Sequence, residues 1–160
     1  MKKLWIMCGP PGSGKSTYLH KLPRTDHDKF ISRDEIRFSL LKDEDDYFDK
    51  EVEVFVTFLN QIQIAIDNPE VENIYVDATH LNEKSRNKVL DSLRLDTINE
   101  INCINMMTPL EKCLEYNNYR EGRAKVPKSV LRRMSMCFEP ADDCEKYKYD
   151  NIININNEEE

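Results

Sequence analysis

Residues 9 to 17 read GPPGSGKST, and Gly9 to Ser16 fits the pattern G-x-x-x-x-G-K-[ST] between an apolar run and a helical one. Each residue type there has a task in holding phosphate. Successive backbone N–H groups form an anion-binding nest, and the following helix adds the positive end of its dipole. Gly9, Pro11, Gly12, Ser13, Gly14, Lys15, Ser16 and Thr17 are therefore the candidate nucleotide-binding residues. Lys15 can reach the β- and γ-phosphates, and the Ser16 hydroxyl can ligate Mg²⁺. Three of the chain's four glycines sit in this loop. Glycine is the residue that permits positive φ or close approach of backbone to a ligand.

Such a loop implies a bound nucleoside triphosphate but not a reaction. The D-x-x-G and N-K-x-D segments of a GTPase are absent: Tyr119 stands three residues before Gly122, and Val89-Leu90 follows Asn87-Lys88. Large ATP-driven motors need more than 160 residues. A small phosphotransferase needs only a sheet, the loop and a mobile lid.

An acceptor side is also legible. In SRDEIR, residues 32 to 37, Asp34 and Arg37 are three apart and share a helix face. A carboxylate there can take the proton of an attacking hydroxyl. A guanidinium can clamp a neighbouring acceptor phosphate with two hydrogen bonds. A helix cap with a surface ion pair is the plainer reading of the same pair. Asp77 ends the strand NIYVD, where it can hold the Mg²⁺ shell or bond Ser16. His80 follows and reads equally as a crevice residue or an inert surface residue. REGRAKVP, residues 120 to 127, has the arginines and the glycine of a lid over a triphosphate.

The elements that must position these groups alternate. KLWIMC (3–8) suits a central strand and the next helix runs from about Lys15 to before Pro23. HDKFIS (27–32) is a second strand, and Ser32 or Asp34 caps a helix to about Leu41. The acidic DEDDYFDKE is expected to face solvent, and residues 51 to 67 carry a helical apolar stripe. NIYVD (73–77) is a strand, Asn82 caps a helix from Glu83 to about Leu93, and EINCINMM (100–107) is a strand. Thr108, Pro109 and Glu111 read as N-cap, N1 and N3 of a capping box, with a helix to about Arg120. Pro127 opens a helix to about Phe138, DNIININ (150–156) is a last strand, and 157–160 is a solvated tail. The expected fold is a single α/β domain: a parallel sheet of about five strands flanked by helices, with a basic lid at about 118–130.

Composition sets bounds. Hydrophobic residues are 39% and charged residues 33%, the balance of a folded domain. No apolar run approaches the ~20 residues of a membrane span. The N-terminal apolar run falls short of the roughly 7–15 residues of a signal peptide's core, so an intracellular, reducing location is expected. The five cysteines are scattered, so free buried thiols are expected rather than a metal site or disulfide framework. A net charge of −7 argues against a broad grip on long nucleic acid. It leaves room for a local basic site, and six basic residues lie between Arg120 and Arg133.

GPPGSGKST, SRDEIR, DATHLNEKSR and REGRAKVPKSVLRRM followed by FEP occur in that order, spread over residue 4 to about 140 and so over nearly the whole domain. Together they resemble the polynucleotide 5′-kinase domain of bacteriophage polynucleotide kinases and related P-loop kinases. The first motif is generic; S-R-D-x-x-R with R-x-G-x-x-x-V-P is far more specific. The resemblance implies transfer of the γ-phosphate of ATP, with Mg²⁺, to the 5′-hydroxyl end of DNA or RNA. It implies Asp34 as general base, Arg37 as acceptor-phosphate contact, and Lys15 and Ser16 as ATP and Mg²⁺ ligands. The lid arginine is Arg120 or Arg123, with Arg120 preferred. In one branch of the family an Asp directly precedes the Thr of T-x-L-N; here Ala78 precedes Thr79 and Asp77 is one step earlier. The D-x-D-x-T motif of the fused 3′-phosphatase of some members is absent, so that activity is not expected. For a viral protein the compartment would be the host cytoplasm.

A kinase of a small hydroxylated metabolite, nucleoside or antibiotic is the competing enzyme class, and the acidic net charge leans toward it. A nucleotide-dependent switch is a third, non-enzymatic class, which leaves Asp34 and Arg37 without a task. The sequence carries no signal for RNA against DNA or for oligomeric state.

Overall fold

The computed structural model describes residues 1–156, so the expected tail at 157–160 lies outside the described residues. Five strands form one parallel sheet: β1 (Lys3–Cys8), β2 (Asp28–Ser32), β3 (Asn73–Asp77), β4 (Glu100–Met106) and β5 (Asn151–Ile155). Their order across the sheet is β2-β3-β1-β4-β5, which puts the phosphate-loop strand in the middle. Parallel neighbours need long crossovers. These carry α1 (Lys15–His20), α2 (Arg33–Leu40), α3 (Glu51–Asp67), α4 (Glu83–Asp91), α5 (Leu110–Asn118) and α6 (Lys128–Cys137).

Strand alternation divides the core into two. On one face Leu4, Ile6, Ile74 and Val76 pack against Val54, Phe58 and Ile62 of α3 and Val89 and Leu90 of α4. On the other, Met7, Ile104 and Met106 meet Leu19 of α1, with Trp5, Tyr75 and Phe30 half-buried beside them. Trp5, Tyr75 and Phe30 stack in a row, with centroids 5.7 and 4.7 Å apart. The parallel strands all end on one edge of the sheet, and every candidate site residue is delivered there.

Several sequence expectations change. Ser32, not Asp34, caps α2: its hydroxyl accepts from the Glu35 N–H at 3.2 Å. That leaves the Asp34 carboxylate uncommitted to a cap. Thr108 makes no capping box. Pro109 occupies the N-cap of α5 without a side-chain bond. The Thr108 hydroxyl instead donates to the Ser13 carbonyl at 2.6 Å. A tertiary partner wins over the local one, and ties α5 to the phosphate loop. The acidic segment after α2 does not simply face solvent, because Asp46, Tyr47, Phe48 and Asp49 line the central cleft. Cys8, Cys103 and Cys113 are buried as expected, whereas Cys137 and Cys144 are exposed. His80 is no surface residue: it is 4% exposed and adopts φ 41°, with Nδ1–H donating to the Met7 carbonyl.

Candidate active site

Between β1 and α1 the chain wraps into the expected cradle. Gly12 and Gly14 hold φ 76° and 94°, a left-handed backbone that favours glycine. A Cβ at Gly12 would stand 2.6 Å from the Cys113 carbonyl oxygen, so the loop also packs too closely on α5 for a side chain. The Gly9 N–H donates to the Thr79 carbonyl at 2.8 Å and anchors the loop to the strand beside it.

Lys15 is buried within this cradle. Its Nζ donates to the Gly9 and Pro10 carbonyls at 2.9 and 3.0 Å. Burial pushes its pKa down; Asp77 and Asp34 oppose this, and the nearby Arg120 adds to it. A desolvated ammonium held only by carbonyls in a nest of glycines is a seat for an anion. Next to it the Ser16 hydroxyl donates to Asp77 Oδ2 at 2.9 Å. Burial raises the Asp77 carboxyl above its ordinary range, against the pull of Lys15 and Ser16. A hydroxyl and a carboxylate beside the anion seat are the oxygen donors that Mg²⁺ prefers, so these residues fit Mg²⁺ with a triphosphate.

The cradle opens into a cleft of about 1000 Å³, large enough for a nucleotide and a second substrate. Pro11, Gly12, Gly14, Lys15, Ser16 and Thr17 line its floor. Gly9 and Ser13 are buried behind that floor; Gly9 accepts from Lys15 and Ser13 accepts from Thr108.

Asp34 and Arg37 stand on the same cleft. The Asp34 side chain is 48% exposed. Its Oδ1 accepts from Arg37 Nη1 and, at 2.7 Å, from the Tyr47 hydroxyl. Arg37 is 5% exposed, and each of its three guanidinium nitrogens has a partner. Nε and Nη2 grip Glu51 at 2.8 and 3.0 Å, and Nη1 also reaches the Tyr47 oxygen at 2.8 Å. Arg33 adds a third contact to Glu51 at 3.2 Å. Burial and the Asp34 carboxylate push the Tyr47 phenol far up, so its hydroxyl stays a donor. Sequence reasoning missed both Tyr47 and Glu51, which the acidic run hid among like residues.

Across the cleft lies the basic stretch. Asn117 pins its far end, donating to the Val126 carbonyl at 2.6 Å and accepting from the Val126 N–H at 2.9 Å. Between them the chain makes one 3-10 turn at Gly122–Ala124, with Gly122 at φ 58°. Arg120 and Arg123 both line the cleft. Among the described residues Arg120 makes one long hydrogen bond, 3.4 Å to the Ala124 carbonyl. Arg123 Nη1 bridges the Lys42 and Asp45 carbonyls at 2.9 and 2.7 Å. His80 does not line the cleft.

A family model described as an AAA domain matches residues 4–141. The chain belongs to that family. No curated protein matches it. Among solved structures, one named "Structure of the Pnkp1/Rnl/Hen1 RNA repair complex" superposes with TM-score 0.70 at 21% identity, over 85% of this chain and 43% of that one. The chain thus spans less than half the length of that relative. A fungal RNA kinase superposes with TM-score 0.68 at 12% identity, over 99% of this AAA-family chain and 78% of its own. An unliganded sugar kinase from Janibacter sp. HTCC2649 gives 0.62 at 19%, over 98% and 85%. At such identities the likeness concerns the fold, which is that of P-loop kinases. Among the described residues of this family member, no helix is long and apolar enough to cross a membrane.

Proposed function

We propose that this protein is a polynucleotide 5′-hydroxyl kinase that transfers the γ-phosphate of ATP to the 5′-OH end of DNA or RNA. The observation that carries this reading is the half-exposed Asp34 carboxylate on the same cleft as Lys15 and Ser16. One oxygen of Asp34 is held by two donors, and the other is left for a hydroxyl. The acceptor oxygen attacks the γ-phosphorus while its proton passes to Asp34. The bond from the γ-phosphorus to the β,γ-bridging oxygen breaks, and ADP leaves. Lys15 and the nest N–H groups neutralise charge on the phosphates, and Arg120, the lid arginine with few commitments, stabilises the transferring group. Ser16, with Asp77 behind it, would hold Mg²⁺, which would supply further charge neutralisation on the phosphates. Arg37 contacts an acceptor phosphate when that anion displaces the Glu51 carboxylate from its bidentate seat. The motifs SRDEIR and REGRAKVP and the likeness to an RNA kinase support this choice of acceptor.

One observation favours a kinase of a small hydroxylated molecule instead. Asp46, Asp49 and Glu51 make the acceptor wall acidic, and Arg37 is already paired. A panel of 5′-OH DNA, 5′-OH RNA, nucleoside 3′-monophosphates and sugars with labelled ATP separates the two. Transfer to an oligonucleotide supports the polynucleotide reading. Transfer only to sugars or free nucleosides selects the other. ATP binding with no transfer to any acceptor points to a nucleotide switch.

A further inference from the structure

The loop between α2 and α3 is built from its own side chains. Lys42 N–H donates to Asp45 Oδ2 at 2.7 Å, and Asp46 N–H to Asp49 Oδ2 at 2.8 Å. Lys50 Nζ ties its end to the Leu40 carbonyl at 2.8 Å. Two sets of contacts link this loop to the rest of the cleft. Tyr47 reaches inward: its hydroxyl donates to Asp34 at 2.7 Å, and its ring lies 4.2 Å from the Arg37 guanidinium carbon. Arg123 reaches the loop from the lid, with Nη1 on the Lys42 and Asp45 carbonyls.

We propose that Tyr47 is a positioning residue for Asp34, and that Arg123 couples its grip to the lid. Tyr47 and Arg37 together occupy Asp34 Oδ1, so the carboxylate rotation is set and Oδ2 is the oxygen presented to an acceptor. Lys50 ties the end of the loop that carries Tyr47 to the Leu40 carbonyl, and the lid holds its first half through Lys42 and Asp45. An open lid withdraws Arg123 and loosens Tyr47; a lid closed over the triphosphate sets the base. Arg123 then serves the acceptor half of the cleft, and Arg120 serves the donor half. The role of Asp34 as base rests on the kinase reading above, but the contact chain can be measured without it.

The groups around Asp34 are Arg37 on its own helix, Tyr47 from the loop, Glu51 at the start of α3, Lys15 on α1 and Asp77 on β3. The test follows the carboxyl ¹³C resonance of Asp34 at one neutral pH, with a non-hydrolysable ATP analogue bound so that the lid is closed. Wild type, Tyr47→Phe, Arg123→Ala and the double variant are compared. Tyr47→Phe removes one donor to the carboxylate, so the Asp34 resonance moves from its wild-type position. Arg123→Ala, far from the carboxylate, moves it in the same direction by a smaller amount. The double variant moves no further than Tyr47→Phe alone. An unmoved resonance in Tyr47→Phe overturns the positioning role. An unmoved resonance in Arg123→Ala, or full additivity in the double variant, overturns the coupling. Lack of transfer to every hydroxyl acceptor counts against the kinase reading alone, since the measurement needs no turnover.

Discussion

Ser16 and Asp77 share a hydrogen bond of 2.9 Å across 61 residues of sequence. The bond joins the first turn of α1 to the end of β3. It aims the Ser16 oxygen and keeps a carboxylate behind it. Asp77→Asn keeps a hydrogen-bonding partner for Ser16 but removes the charge. Loss of such a supporting group weakens metal affinity by about 10–100-fold. Calorimetric titration of ATP binding against Mg²⁺ should show a raised Mg²⁺ requirement, with little change in the metal-free affinity.

Asp34 has a different task, and its removal has a different signature. Asp34→Asn leaves the phosphate cradle untouched and takes away the proton acceptor. Phosphoryl transfer should fall by ~10²–10⁴-fold, while ATP affinity measured by calorimetry stays near that of wild type. Normal turnover in this variant would remove Asp34 from the mechanism.

The two lid arginines should separate. Among the described residues Arg120 makes a single hydrogen bond, of 3.4 Å, whereas Arg123 is bound to two carbonyls of the acidic loop. Arg120→Ala is expected to lower kcat by about 10³-fold or more, the scale of an arginine acting on the transferring group. Arg123→Ala should cost much less in kcat. Equal losses in the two variants, read from steady-state kinetics, would contradict this division.

Behind the site, Arg86 and Glu145 form a buried bidentate pair at 3.1 and 2.6 Å, with side chains 1% and 4% exposed. Arg86 also donates to the His80 carbonyl at 2.8 Å, which steadies the turn after Asp77. Glu145→Ala leaves a guanidinium buried without its anion. Such a loss costs about 3–5 kcal/mol. For a chain of this size the melting temperature should drop by on the order of 10 °C, read by calorimetry.

His80 predicts a pH dependence. Burial lowers its pKa to about 4. The ordinary value is about 6.5. As pH falls from about 6.5 to about 4, the unfolded chain takes a proton that the native chain refuses. Stability therefore decreases through that window, by up to ~1.4 kcal/mol per pH unit, and this contribution stops changing below it. Asparagine tolerates the left-handed backbone at this position. His80→Asn should flatten the pH dependence of denaturant-determined stability between about pH 4 and 6.5. An unchanged slope would assign the dependence to carboxylates instead.

The sheet, its helices and the phosphate cradle were legible in the sequence because each rests on local chemistry. Glycines that reach φ 76° and 94° declare the loop. Apolar runs of strand length, separated by helical periods, declare the parallel sheet. The edge of such a sheet then collects whatever follows each strand, so Ser32, Asp34 and Asp77 could be placed near Lys15 from order alone. The pairing of side chains across that edge could not. Thr108 carries the local signature of a capping box, yet its hydroxyl goes to Ser13, 95 residues away. Tyr47 stands in a segment that reads as a solvated acidic turn, yet its hydroxyl meets Asp34. Arg37 reads as a free clamp, yet Glu51 already fills its fork. His80 shows no pattern of burial, yet it donates to a central strand. Hydrogen-bond choice among several polar groups depends on which one is desolvated beside a partner. That is a property of packing between distant segments, and only the folded chain decides it.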